Sequence, residues 1–228
     1  MSEEEENAEV EIGAYVYFVM YQHPKDARYA VIELIDNLED YQVVIAKKLS
    51  YNELGVKNLE ELHSKAEKDR KFLAKLVKFF NKDAVSSDGE INWFKIHYTP
   101  GVYEDGRAYE LDYDKDWTLV IEKYDNGFRF WAEGDPYNRS WLVEQHPKDP
   151  ERLILTFEKD GKEVVPIIRK PNYYGVDYEI KDIWQLYKAL VEEPSRYFFF
   201  ITNIDGEFKQ VKIIDKSRHS SPVVESKA

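Results

Sequence analysis

The sequence predicts an α+β fold, mainly antiparallel sheets of hairpins with one long and one shorter helix packed on them. Three observations predict it. Short β-branched and aromatic runs alternate with Asp-Gly and Asn-Gly pairs, which favour hairpin turns. Residues 59–80 carry apolar side chains at three- and four-residue steps. Residues 182–192 repeat that stripe over a shorter span before Pro194.

Taken in order, residues 1–10 hold five glutamates and read as an acidic, disordered tail. Residues 11–21 are rich in Tyr and Val and read as a strand apolar on both faces. Gln22-His23-Pro24-Lys25-Asp26 turns the chain, Pro24 setting φ. Strands follow at 29–35 and 42–46. Ser50-Tyr51-Asn52-Glu53 fits a capping box, so a short helix starts there and Gly55 ends it. Asn58 caps the next helix, in which Leu59, Leu62, Ala66, Leu73, Leu76, Val77 and Phe80 form the apolar stripe and seven charged residues fill the other face. The stripe drops out at Asp69, which argues for one amphipathic helix of about six turns on a sheet rather than a coiled coil.

Beyond residue 91 the chain reads as strands and tight turns. Asp88-Gly89, Asp105-Gly106, Asn126-Gly127, Asp160-Gly161 and Asp205-Gly206 take five of the ten glycines. Each is expected to supply a positive φ to a turn. The strands between them are 93–98, 117–124 with 128–133, 153–158 with 163–168, and 197–202 with 208–214. Residues 11–214 are expected to form a single α+β domain, and 215–228 a flexible tail.

Composition narrows the function. The 228 residues carry 32 Lys+Arg against 44 Asp+Glu, a net charge of −12. Removing −5 for the first ten residues and +1 for the last fourteen leaves −8 on 11–214. Such a body repels phosphate backbones, so no direct non-specific nucleic-acid binding is expected, and protein partners with basic surfaces are. The longest apolar run, Ala14 to Tyr21, has eight residues, too short to cross a bilayer. The acidic start is the opposite of a secretory or organellar signal. A soluble, cytoplasmic protein is the expectation.

There is no cysteine, which removes disulfides, zinc ribbons, iron–sulfur sites and thiol nucleophiles. Few Met, Gln and Asn beside abundant Glu, Lys and Tyr match a hyperthermophile profile.

Gln22–Asp26 recurs identically as Gln145–Asp149. Two readings account for it: an ancient duplication, or one turn problem solved twice with the same residues. The flanks do not otherwise align and local turn chemistry suffices, so the second is preferred. His23 and His146 would serve as general bases if the two loops met; without a partner constellation they read as solvated turn residues. His63, His97 and His219 have no metal-ligand spacing.

Glu110, Asp112, Asp114 and Asp116 alternate along the chain. On a strand they fall on one face about 7 Å apart. As a calcium loop from Asp112 the pattern fails, with Trp117 at the glycine position and Lys123 at the bidentate position. It reads as a solvated face, or else as a partner-binding acidic face for basic side chains. Asp205 with Glu207-x-Lys209 fits a metal-nuclease pair only as accident allows in a chain that is 33% charged. Asn138-Arg139-Ser140 matches a glycosylation acceptor only in an exported protein. No catalytic residue, cofactor or metal ligand is assigned.

The aromatics outnumber the needs of one helix–sheet core; Tyr15, Tyr17, Phe18, Tyr21, Tyr173, Tyr174, Tyr178, Trp184, Tyr187 and 197–200 are the richest positions. Tyr and Trp left at the surface mark an interface, and a homodimer through an edge strand or helix is the simplest outlet.

This acidic, cysteine-free α+β chain, with its segment from Tyr15 through Ile35 to Leu49, resembles the crenarchaeal accessory seventh subunit of the Cmr-type (type III-B) CRISPR ribonucleoprotein effector. The likeness is one of overall character rather than of a motif. It implies a non-catalytic, dimeric, peripheral subunit working in antiviral defence, with no catalytic residues to carry over. Two other classes fit the acidity: a viral inhibitor that mimics nucleic acid, with carboxylates at phosphate-like spacing, and a metal-dependent nuclease with clustered carboxylates.

Overall fold

Val16, Tyr17, Phe18, Val19 and Met20 have side chains that prefer a pleated, buried surface, and they form the centre of the first sheet. The structure, a computed structural model, describes residues 8–13, 16–36, 42–97, 102–103, 107–108, 116–171, 180–195 and 208–217. The chain divides into two compact units, Met1–Glu110 with Val164–Pro166, and Leu111–Glu163 with Ile167–Ala228. Each unit is built around its own sheet.

In the first unit β1 (Ala8–Gly13), β2 (Val16–Gln22), β3 (Tyr29–Asp36) and β4 (Gln42–Ser50) make an antiparallel meander in chain order. The first strand begins at Ala8, inside the segment expected to be tail. A bulge between Glu11 and Gly13 ends its regular pairing with β2. Phe18 faces Leu34 and Met20 faces Ile32 across the β2–β3 pair. Their shared face packs against helices, with Leu62, Leu76, Val77 and Phe80 closing the core and Phe18 and Phe80 at 5.0 Å between ring centroids.

Three helices follow. In α1 (Tyr51–Leu54) Ser50 Oγ accepts from the Glu53 N–H at 3.1 Å, and Gly55 ends the turn at φ 73°. Asn58 Oδ1 accepts from the Glu61 N–H at 2.9 Å to open α2 (Leu59–Lys68). The single long helix expected over 59–80 is two. Asp69 closes α2 in an extended conformation, and its Oδ1 accepts from the N–H groups of Lys71 (2.9 Å) and Phe72 (3.1 Å) to start α3 (Arg70–Phe80). An aspartate competes with the helix for amides, so the gap in the apolar stripe is a cap rather than a missed heptad position.

A turn through Gly89 (φ 90°) joins the Val85–Ile91 bridge. Residues 93–97, expected as a strand, are a helix, α4 (Trp93–His97). Trp93 and Ile96 lie three residues apart, a helical spacing, and Ile96 is buried. Asn81 Nδ2 donates to the Lys95 carbonyl at 2.7 Å and fixes that turn. A two-strand ladder, β5 (Val102–Tyr103) with β6 (Arg107–Ala108), completes the described elements of this unit.

The second unit holds β7 (Trp117–Tyr124), β8 (Gly127–Ala132), β9 (Arg139–Gln145), β10 (Leu153–Lys159), most of β11 (Lys162–Arg169), α5 (Ile183–Glu192) and β12 (Phe208–Asp215). Its sheet runs β11-β10-β9-β8-β7-β12, and β12 joins β7 in parallel. A hairpin partner for β12 at 197–202 lies outside the described residues. Asp182 Oδ1 accepts from the Trp184 and Gln185 N–H groups, both at 2.8 Å, to start α5. Ile183, Leu186 and Leu190 are its buried stripe, and Tyr187 meets Phe128 edge-on at 5.5 Å.

The Asp160-Gly161 turn has positive φ at both residues, 51° and 69°, as a type I′ hairpin needs. Asn126-Gly127 does not follow that expectation. The loop is Asp125-Asn126, and Gly127 pairs with Tyr124 as the first residue of β8. Glycine is needed there because a Cβ would sit 2.1 Å from the Val143 carbonyl oxygen. Asp105-Gly106 and Asp205-Gly206 lie outside the described residues.

The two meanders match beyond their repeated pentapeptide. Shifting the seven residues of β2 by 123 gives the seven of β9. Gln22 pairs with Ala30 as Gln145 pairs with Leu153, and Phe18 with Leu34 as Trp141 with Phe157. Each meander is followed by helix on the face that carries Phe18 or Trp141.

Candidate functional site

The repeated loops have one architecture. In the first, the main-chain N–H groups of Lys25 and Asp26 donate to His23 Nδ1 at 3.1 and 3.0 Å. In the second, those of Lys148 and Asp149 donate to His146 Nδ1 at 3.3 and 3.0 Å. Gln22 Nε2 donates to the carbonyls of Asp26 and Tyr29 at 3.2 and 2.8 Å, and Gln145 Nε2 to those of Asp149 and Arg152 at the same distances. The carboxylates of Asp26 and Asp149 accept from the N–H two residues ahead, of Arg28 at 3.0 Å and Glu151 at 2.9 Å. The Asp26 carboxyl is held well below the usual range by the hydrogen bonds and charge of Arg28.

Four of the five repeated side chains are thereby explained as turn construction, with Pro setting φ and Gln, His and Asp bonding main-chain groups. The general-base reading finds no support in the loop geometry: each Nδ1 lone pair is filled by two amides. His23 is buried rather than wetted by solvent.

Of the acidic ladder, Glu110, Asp112 and Asp114 lie outside the described residues. Asp116 is exposed and pairs with Lys209 Nζ at 2.9 Å, joining the starts of β7 and β12. That pair uses the lysine of the Glu207-x-Lys209 triplet, whose Asp205 and Glu207 are outside the described residues. His219 is outside them too. No three His, Asp or Glu converge to hold a metal ion among the described residues.

Sequence reasoning missed a charged network on the face of the second sheet opposite α5. Glu122 on β7 lies opposite Arg129 on β8, and Ser140 on β9 opposite Glu158 on β10. Arg129 Nη2 donates to Glu158 Oε1 at 3.1 Å and Nη1 stands 3.7 Å from Glu122 Oε2. Its Nε is 2.9 Å from Glu158 Oε2, but the N–H is not aimed at that oxygen, so the contact is coulombic. Ser140 Oγ donates to Glu158 Oε2 at 2.9 Å, and Tyr124 Oη and Lys216 Nζ both bond Glu122.

Burial alone would raise the Glu122 carboxyl; the hydrogen bonds of Lys216 and Tyr124, with the charges of Lys216 and Arg129, outweigh it and hold it below the ordinary value. Burial and the bond to Glu122 push the Tyr124 phenol up to about 12. Beside this group Thr156 Oγ1 is buried without a hydrogen-bond partner. Two carboxylates, a guanidinium and an ammonium neutralise one another here. The findable signal was the hairpin: a two-residue loop at Asp125-Asn126 sets Glu122 opposite Arg129.

At the described surface three large apolar side chains stand out: Phe94, 55% exposed, Ile213, 49%, and Trp184, 38%. Phe94 stacks on Trp93 with centroids 3.8 Å apart. Lys123 Nζ lies 5.5 Å from the Trp184 ring centroid. Tyr15, Tyr173, Tyr174, Tyr178 and residues 197–200 lie outside the described residues. No helix among the described residues is long and apolar enough to cross a membrane.

No protein-family model, no curated protein and no solved structure matches the chain. The fold is α+β with mainly antiparallel sheets.

Proposed function

We propose that the protein is a non-catalytic accessory subunit that docks on a larger ribonucleoprotein assembly through basic surfaces of its protein components. The resemblance names the Cmr-type CRISPR effector as that assembly, and antiviral defence as its setting. One observation carries the reading: Phe94, stacked on Trp93 on a short helix, is 55% exposed. Exposed rings fixed by a neighbour bury large area with little rotamer entropy to lose, which is the character of an interface anchor. The net charge of −12 adds attraction to basic surfaces and repulsion of bare nucleic acid. The His23 and His146 loops and the Glu122–Arg129–Glu158 network support the reading as well, since their polar groups bond within the fold.

The test is co-migration of the purified chain with a reconstituted Cmr-type complex. Wild-type protein is expected to co-elute, and Phe94→Ser, an exposed change, to weaken the association by about tenfold or more. Failure of the wild type to join the complex, or undiminished binding by Phe94→Ser, would overturn the proposal.

A further inference from the structure

The equivalence of the two meanders exposes a difference at their edges. β8 holds the place in the second unit that β1 holds in the first, being the strand before the one that leads into the repeated loop. The far side of β8 is covered by β7, which runs antiparallel to it. The far side of β1 is the sheet edge. Among the described residues no backbone hydrogen bond reaches Ala8–Gly13 from that side.

Such an edge is a template for another strand unless it is blocked. Val10 is buried and Ala8 and Ile12 are partly buried against the core, while Glu9 and Glu11 are exposed on the other face. A strand laid on this edge therefore meets apolar positions on one side and two carboxylates on the other. In the second unit β7 answers the apolar side with Leu119 and Ile121, which pair with Ala132 and Phe130 of β8.

We propose that the outer edge of β1 is a strand-addition site for an extended, lysine- or arginine-bearing segment of a partner protein, seated antiparallel where β7 sits in the second unit. Charge selects the occupant. Residues opposite one another in an antiparallel pair lie on the same face, so a second copy offering its own β1 would set glutamate against glutamate. A segment alternating basic and β-branched residues matches both faces at once. The inference rests on the reading that the protein grips other polypeptides, and assigns it one place.

The experiment titrates the full-length chain with a short peptide of alternating lysine and valine, following backbone amide shifts by NMR and affinity by anisotropy. A peptide of equal charge that alternates N-methyl-lysine with proline, and so has no main-chain N–H to donate to a ladder, is the control. Shifts centred on residues 8–13 and a preference of about tenfold for the lysine–valine peptide are expected. The double variant Glu9→Lys/Glu11→Lys should lose about tenfold in affinity for it and gain affinity for a glutamate–valine peptide. Equal binding of the two lysine peptides, shifts centred elsewhere, or no binding would overturn the proposal. The double variant joining the ribonucleoprotein assembly as tightly as wild type would also overturn it while leaving the accessory-subunit reading standing; a wild type that joins nothing defeats that reading first.

Discussion

His23 and His146 hold their loops closed in the same way, each with a Nδ1 lone pair that receives the main-chain N–H groups two and three residues ahead. The imidazole is here a piece of turn scaffolding, and both copies require the tautomer with Nδ1 unprotonated. Replacing either by alanine leaves two amides without their acceptor. The expected cost is about 1–3 kcal/mol, larger at His23, which is 4% exposed, than at the half-buried His146. Amide hydrogen exchange checks this unit by unit. Lys25 and Asp26 should exchange faster in His23→Ala, and Lys148 and Asp149 in His146→Ala, each variant leaving the other loop protected.

Asp69 does two tasks with one residue, ending α2 through its N–H to the Lys65 carbonyl and opening α3 through its carboxylate. Asp69→Ala should lower stability by about 1 kcal/mol, whereas Asp69→Asn or Asp69→Ser should recover most of it. Denaturant titrations of the three variants decide it; equal losses in all would mean that the cap contributes nothing.

Much of the fold was legible because local chemistry determined it. Ser50 and Asn58 announce helix starts, and the apolar stripe of Ile183, Leu186 and Leu190 places α5. The departures also have local causes. The sequence reading treats Asp69 as a gap in a stripe when it is a cap, and the alternation around Trp93 masks the helical pair Trp93–Ile96. What was not legible is non-local. The parallel partner of β7 arrives from residue 208 onward, and the Glu122–Arg129–Glu158 network assembles across four strands whose registers depend on three separate turns. Single charged residues at alternate positions carry no mark of which neighbour the sheet will bring.

Gly127 tests the register argument directly. It opens β8 opposite Glu144, and a side chain there meets the backbone oxygen of Val143 rather than a movable group. Gly127→Ala should push β8 from β9, lower stability by about 2 kcal/mol or more and loosen the Phe128–Val143 pairing. Gly161→Ala should cost about 1 kcal/mol from backbone strain alone, since nothing lies near its added Cβ. Thermal unfolding of the two variants side by side separates steric from conformational need. A smaller loss at 127 than at 161 would contradict the close approach.

Acid should weaken the second unit through Glu122 and Asp135. Burial raises both carboxyls, but Lys216, Tyr124 and Arg129 around the first, and the paired hydrogen bonds of Arg139 on the second, hold them below their ordinary values of 4.5 and 3.8. A carboxyl lowered in the folded state contributes stability that is present above its unfolded value and lost as pH falls through its folded one. Unfolding followed from neutral pH downward should therefore show little loss above the ordinary carboxylate range and a progressive loss below it. Glu122→Gln removes one of the two titrating groups, so the variant should begin less stable at neutral pH and fall less steeply in acid. Parallel pH profiles for wild type and Glu122→Gln would show that the Lys216 and Tyr124 contacts do not favour the ionised carboxylate, because a group without a folded-state preference cannot change the slope.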